Sequence, residues 1–134
     1  VTNQREIAAD DFFVGMYTTA LEEGELITAV RFPVPRKASY QKFRQGASRF
    51  ALVGVFVAQT NGGVRVAVTG AASSVFRQSA LEAALNQSFT VASAAAVKVD
   101  ASDLGSDIHA SPVYRAQLIS VLTQRAVKEI TSSP

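Results

Sequence analysis

Cysteine is absent from this chain of 134 residues. Disulfides, thiolate nucleophiles and cysteine-ligated iron–sulfur or zinc sites are therefore excluded within it. Histidine occurs once, at His109. A Ser-His-Asp triad would have to use that residue, and a multi-histidine metal site is impossible. No apolar run approaches the roughly 18 residues of a membrane span. No segment has five or more consecutive cations, and the formal net charge is only +2. The pI of about 9.2 thus reflects a small excess over the acids, which gives nucleic-acid binding little support. The opening "VTNQREIAADDFF" lacks a basic region followed by an apolar one, so no signal peptide is expected and the expected location is cytoplasmic. It also lacks an initiator Met, which fits a fragment or a processed piece. Neither G-x-G-x-x-G, a P-loop nor D-x-D-x-D-G is present.

Hydrophobic residues make up 48% and charged residues 18%, an ordinary balance for one globular core. The stretch 8–20 carries mixed signals, with Asp10 and Asp11 before Phe12 and Phe13 and then Gly15, and reads as a short helical turn or irregular loop. "ELITAVRF" (25–32) alternates and predicts a strand stopped by Pro33 and Pro35. "SYQKFR" (39–44) alternates too, with Tyr40, Lys42 and Arg44 on one face. "FALVGVFVAQ" (50–59) predicts a central strand buried on both faces. "TNGG" supplies a hairpin turn of type I′, because Asn and Gly accept positive φ. "VRVAVTGA" (64–71) is the return strand, with Gly70 permitting a tight exit.

The second half changes period. "VFRQSALEAALNQ" (75–87) predicts a helix with Phe76, Ala80, Leu81, Ala84 and Leu85 as its stripe. "TVASAAAVKV" (90–99) predicts a short helix capped by Thr90. The longest helix spans 111–130, with Ser111 as cap, Pro112 at the first position, and Tyr114, Leu118, Val121, Leu122, Ala126 and Ile130 as its buried face. Strands followed by helices predict an α+β fold: an antiparallel sheet of three to four strands with about three helices packed on one face.

Candidate chemistry is sparse. His109 sits in a polar loop with Asp103 and Asp107 but no nucleophile, so it reads as a solvated loop residue. Asp10–Asp11 and Glu22, Glu23 and Glu25 lack metal-binding spacing and read as solvated charge. Lys42 and Arg44 with Tyr40 form either a solvated basic strand edge or an anion or cofactor contact.

Several stretches together resemble a known family: "DFFVG", "TTALEEGELITAVRFPVP", "YQKFRQGASRFALVGVFVA", "VRVAVTGA" and "YRAQLISVLTQRAV". Their order and content are similar to the FAD-binding medium subunit of molybdenum hydroxylases, the carbon monoxide dehydrogenase and xanthine dehydrogenase flavoprotein family. The similarity is to its C-terminal portion and covers nearly the whole chain. The resemblance implies that 1–36 are the tail end of the FAD-binding domain and linker, and 37–134 the flavoprotein C-terminal domain. It implies FAD as cofactor of the subunit. Iron–sulfur clusters would lie in a small partner subunit and the molybdenum cofactor in a large one, with FAD relaying electrons to an external acceptor. The family's Gly-Gly pyrophosphate loops are missing here, so the resemblance implies an isolated chain that is not catalytic and does not retain FAD. Carried over by position, the flavin contacts fall on Ile27 or Leu26 and on Lys42, with Arg44 as an alternative to Lys42. A cation beside the flavin ring favours its anionic reduced form. Two departures stand out. Ser48, Arg49 and Phe50 occupy a place where many members carry an acid, and Val75 stands where the helix motif usually has Pro, which suggests a softer helix start. The competing reading is a stand-alone interaction or dimerisation module without flavin. A hydrolase built on His109 is the weakest option.

Overall fold

The computed structural model describes residues 1–132. Its main sheet has four antiparallel strands in the order β3-β4-β5-β6: β3 (Lys37–Arg44), β4 (Ala51–Thr60), β5 (Gly63–Thr69) and β6 (Phe76–Arg77). A two-stranded ribbon, β1 (Phe13–Gly15) with β2 (Thr18–Thr19), follows a single helical turn, α1 (Ala9–Phe12). Helices α2 (Ser79–Gln87), α3 (Val91–Ala96) and α4 (Pro112–Ser132) complete the chain. The expected α+β arrangement is what the molecule adopts.

The core forms because one face of the sheet is nearly all β-branched. Val53, Val55, Val57, Val66 and Val68 are completely buried. Against them pack Leu81 and Leu85 of α2, Ala94 of α3, and Ile119, Leu122, Ala126, Val127 and Ile130 of α4. Each buried aliphatic side chain contributes roughly 1.5–3 kcal/mol relative to exposure, so this face supplies most of the driving force. Helices cover only this face. On the opposite face of β4, Gly54 and Ala58 are buried as expected, while Phe56, 41% exposed, departs from a strand buried on both sides.

The hairpin turn differs from expectation in one detail. Positive φ falls on Gly63 (+105°), not on Asn61 or Gly62. A type I′ turn would need positive φ at both central residues, so the turn instead places its left-handed residue at the first position of the return strand. Beyond it, β6 is too short to pair with the first half of β5. Helix α2 supplies the missing partners: Asn86 Oδ1 accepts from the Val64 N–H (2.8 Å) and Glu82 Oε1 from the Val66 N–H (2.9 Å). The Gln78 N–H donates to the Val66 carbonyl at 2.9 Å. The edge is thus closed by side chains instead of a strand. Burial pushes the Glu82 carboxyl up, but the Arg77 guanidinium and the Val66 N–H outweigh it and hold the group below its ordinary range.

Three helix boundaries bear on these expectations. Thr90 caps α3 by accepting from the Ser93 N–H, and Ser111 Oγ accepts from the Tyr114 N–H at the start of α4, both as expected. Helix α2 begins at Ser79, not 75, because Phe76–Arg77 pair with Ala67 and Val68 as β6. Tyr114 and Val121 are only partly covered, while Arg115, Ile119, Thr123 and Val127 join the buried face of α4.

Residues 25–32 do not form the expected strand. They pair with residues 1–3 through one isolated bridge, Thr2 with Ile27, and through backbone bonds of Val1 and Asn3 to Leu26, Thr28 and Ala29. No residue of 1–36 belongs to the hydrophobic core; its only buried side chains are Thr2 and Glu25.

Candidate functional site

Glu25 organises the N-terminal segment, and it is not the solvated acid its sequence neighbourhood suggests. Its carboxylate accepts from Thr2 Oγ1 (2.7 Å), Arg5 Nε (3.0 Å), Arg5 Nη2 (3.0 Å) and the Glu22 N–H (2.9 Å). The Arg5 guanidinium first, then the Thr2 hydroxyl and the Glu22 N–H, lower its pKa from 4.5 to about 2. Because the folded value lies below the unfolded one, the associated stability is present above pH 4.5 and is lost as pH falls through about 2. Protection of the Glu22 and Leu26 amides from hydrogen exchange should therefore fall across this window. Glu25→Gln should remove the pH dependence; an unchanged acid profile in that variant would contradict the assignment.

By fixing Glu25, this network presents the next two residues. Leu26 is 68% and Ile27 51% exposed. Ile27 lines an apolar groove of about 460 Å³ together with Ile7, Phe12, Phe13, Val30 and Phe32.

Lys42 lies elsewhere, on the open face of the sheet. Tyr40 and Lys42 are exposed there, while Ser39 and Gln41 turn inward to Glu129 and Phe43 packs edge-on against Tyr114. The strand alternation therefore holds as expected. Lys42 pairs with Gly54 in register. Arg44 is exposed too; the register slips by one between Phe43 and Arg44 because Leu52 of β4 is the extra residue, so Arg44 faces Ala51. β3 itself keeps its alternation, so Tyr40, Lys42 and Arg44 share one face as expected. Neither Lys42 nor Arg44 forms an ion pair or side-chain hydrogen bond among the described residues. No bond joins the Leu26–Ile27 pair to the Lys42–Arg44 pair among them either.

The remaining candidates have ordinary surroundings. His109 is exposed, donates its backbone N–H to Asp107 and sets its ring edge-on to Phe50. Asp10 is paired with Arg77. Among the described residues no group of acids, histidines or cysteines could hold a metal ion. Arg49 is exposed with φ +59°, in a loop where Gln45 Oε1 accepts from the Ala47 and Ser48 N–H groups. What sequence reasoning missed is the place of Tyr40. Its ring occupies the space a side chain at Gly54 would fill. A glycine inside an otherwise apolar strand was the available signal.

No family model matches the chain. Individual relatives do. It is 35% identical over 96% of its length to the nicotine 6-hydroxylase medium subunit of Paenarthrobacter nicotinovorans, covering 49% of that protein. It is 32% identical, over 96% of its length and 50% of the relative's, to the glyceraldehyde dehydrogenase medium chain of Sulfolobus acidocaldarius. The solved structure of reconstituted CO dehydrogenase from Oligotropha carboxidovorans superposes with a TM-score of 0.77 at 26% identity, covering 97% of this chain and 50% of that one. The chain thus spans about half the length of the curated relatives it matches. With medium subunits matched over nearly its whole length in sequence and in fold, the chain belongs to the medium-subunit family of the molybdenum hydroxylases.

Proposed function

We propose that this chain is the C-terminal part of the FAD-containing medium subunit of a molybdenum hydroxylase and helps to position the flavin. Residues 1–36 are the end of the flavin-binding domain and its linker; residues 37–134 are the separate C-terminal domain. The observation that carries this reading is the 35% identity to a medium subunit over 96% of the chain. The N-terminal segment supports it, because it exposes Leu26, Ile27, Val30, Phe32 and Val34 and has no apolar core of its own. Such a surface is built to be covered.

The residues fit part of FAD and not all of it. No Gly-rich loop is available for a pyrophosphate. What the chain offers is an apolar pair, Leu26–Ile27, held out by the Glu25 network, and an unpaired ammonium at Lys42 beside an aromatic ring. That donor set suits the planar ring system. When bound, FAD supplies the redox chemistry, relaying electrons from iron–sulfur clusters in a small subunit to an external acceptor, while the large subunit holds the molybdenum cofactor. This chain's own residues bind and orient. Lys42 is the favoured cationic contact because it lies opposite Gly54, whose backbone the Tyr40 ring covers; Arg44, on the same face, is the alternative. Among the described residues no helix is long and apolar enough to cross a membrane; a cytoplasmic location is part of the proposal.

The helical face gives the alternative dimerisation reading no support. Gln117, Arg125, Lys128 and Glu129 are exposed along α4, which is not an apolar stripe.

Titration with FAD tests the function. The full medium subunit should bind flavin stoichiometrically, and residues 1–134 alone should not. Tight binding by this chain alone would contradict the placement of the pyrophosphate site elsewhere; failure of the full subunit to bind flavin would refute the function. In that subunit, Lys42→Ala removes a charge-assisted contact of about 1.5–3 kcal/mol and should weaken FAD binding about ten-fold or more. Unchanged affinity and reduction potential would remove Lys42 from the site.

A further inference from the structure

Gly54 lies in the middle of β4, opposite Lys42 on one side and Thr69 on the other. A Cβ built there would stand 2.5 Å from Tyr40 Oη, 3.1 Å from Tyr40 Cε2 and 2.8 Å from Thr69 Cγ2. The Tyr40 ring therefore leans diagonally across β4 and covers the backbone of the residue that pairs with Lys42. It remains 50% exposed, and its cross-strand neighbour Phe56 is 41% exposed. The phenol makes no hydrogen bond among the described residues. The open face thus carries a braced aromatic surface, a free hydroxyl and, two residues along the same strand, a free ammonium.

We infer that Tyr40 is a cofactor-contacting residue that seats the planar ring of the flavin beside Lys42, and that Gly54 is required because it lets the Tyr40 ring lie in that position. The inference rests on the proposed flavin reading and extends it to two residues which that reading does not assign. Its chemistry is plain. An electron-poor fused ring stacks favourably on an electron-rich phenol, and its polar edge can meet the ammonium and the hydroxyl. A side chain at position 54 would lift the tyrosine and leave the ammonium without its aromatic neighbour. A purely structural tyrosine would only shield the glycine backbone.

Four variants of the full medium subunit separate these roles, read by FAD dissociation constant, fluorescence yield of the bound flavin and melting temperature. Tyr40→Leu should weaken FAD binding about two- to ten-fold and raise flavin fluorescence, because a stacked tyrosine quenches it. Tyr40→Phe keeps the ring and should stay within about two-fold of the parent. Gly54→Ala displaces the ring while retaining Tyr40 and should reproduce the Tyr40→Leu effect. Should Tyr40→Leu fail to fold, Gly54→Ala against Tyr40→Phe makes the same distinction. Unchanged affinity and fluorescence in the ring-displacing variants, with or without a lower melting temperature, overturn the inference. Lys42→Ala distinguishes the two levels. Weakened binding in Lys42→Ala alone sinks the role of Tyr40 and leaves the flavin reading standing; no change in any of the four removes both Tyr40 and Lys42 from the site, and only a full subunit that binds no flavin sinks the flavin reading itself.

Discussion

Gly70→Ala is expected to destabilise the domain by about 2–5 kcal/mol, a loss large enough to prevent folding in a marginal background. Gly70 ends β5 with φ +77°. A non-glycine residue there costs about 1–2 kcal/mol from backbone strain. The added methyl would also stand 2.3 Å from the Ala51 carbonyl oxygen and 3.1 Å from that of Leu52. Both are main-chain atoms at the start of the central strand, so they cannot swing aside as a side-chain tip can; overpacking of this kind costs a further 1–3 kcal/mol or so. Gly62→Ala is the matched control. It sits in the neighbouring hairpin turn, its nearest non-adjacent atoms are 3.8 Å away, and its φ is not positive. It should change stability by less than about 1 kcal/mol. The comparison is made by urea unfolding, read as a shift in midpoint at constant slope. Equal midpoints for the two variants would show that the close approach of β5's exit to β4 does not constrain the fold.

Much of this architecture was legible before any coordinates. The β4–β5 hairpin could be read because β-branched residues run in period two on either side of Asn61–Gly63. Helix α4 could be read because Ser111–Pro112 precede a clear apolar stripe. What could not be read depends on partners. Residues 25–32 alternate as well as those of β3 do, yet β3 pairs with β4 along its whole length and 25–32 hold one isolated bridge. β6 has two residues, too few for any period. The candidate site follows the same division. Alternation placed Tyr40, Lys42 and Arg44 outward, but the extra residue at Leu52, which sets Arg44 opposite Ala51, depends on how β3 and β4 are aligned. Charged residues are the systematic blind spot. Glu25, Glu82 and Arg115 are nearly fully buried, and each is buried because several donors or acceptors converge from distant parts of the chain. Nothing local distinguishes them from solvated charges.

Arg115→Met is the second large effect, expected to lower stability by about 3–5 kcal/mol and the melting temperature by on the order of 10–20 °C. The guanidinium is 4% exposed beneath the sheet's end. Its Nη1 donates to the carbonyls of Leu52 and Gly70, each at 2.8 Å, and its Nη2 to Asp107 Oδ2 at 2.7 Å. One side chain of α4 thus ties the first turn of the helix to the start of β4, the exit of β5 and the loop before the helix. Methionine fills similar volume but leaves two buried carbonyls without donors, and the cost of unmade bonds exceeds the gain from apolar contact. Arg115→Lys keeps the charge but not the fork, so it should recover only part of the loss. Asp107→Asn separates the contributions. The carboxyl is 46% exposed and is held below its ordinary range first by the His109 N–H, with the Ala110 N–H and Arg115 adding to it. Asparagine retains an oxygen for both N–H groups and leaves the two carbonyl bonds of Arg115 intact. Its cost should stay near 1 kcal/mol or below. An Asp107→Asn loss as large as that of Arg115→Met would move the weight of the cluster from the two strand carbonyls to the ion pair, and the picture of Arg115 as the clamp across β4 and β5 would have to be abandoned.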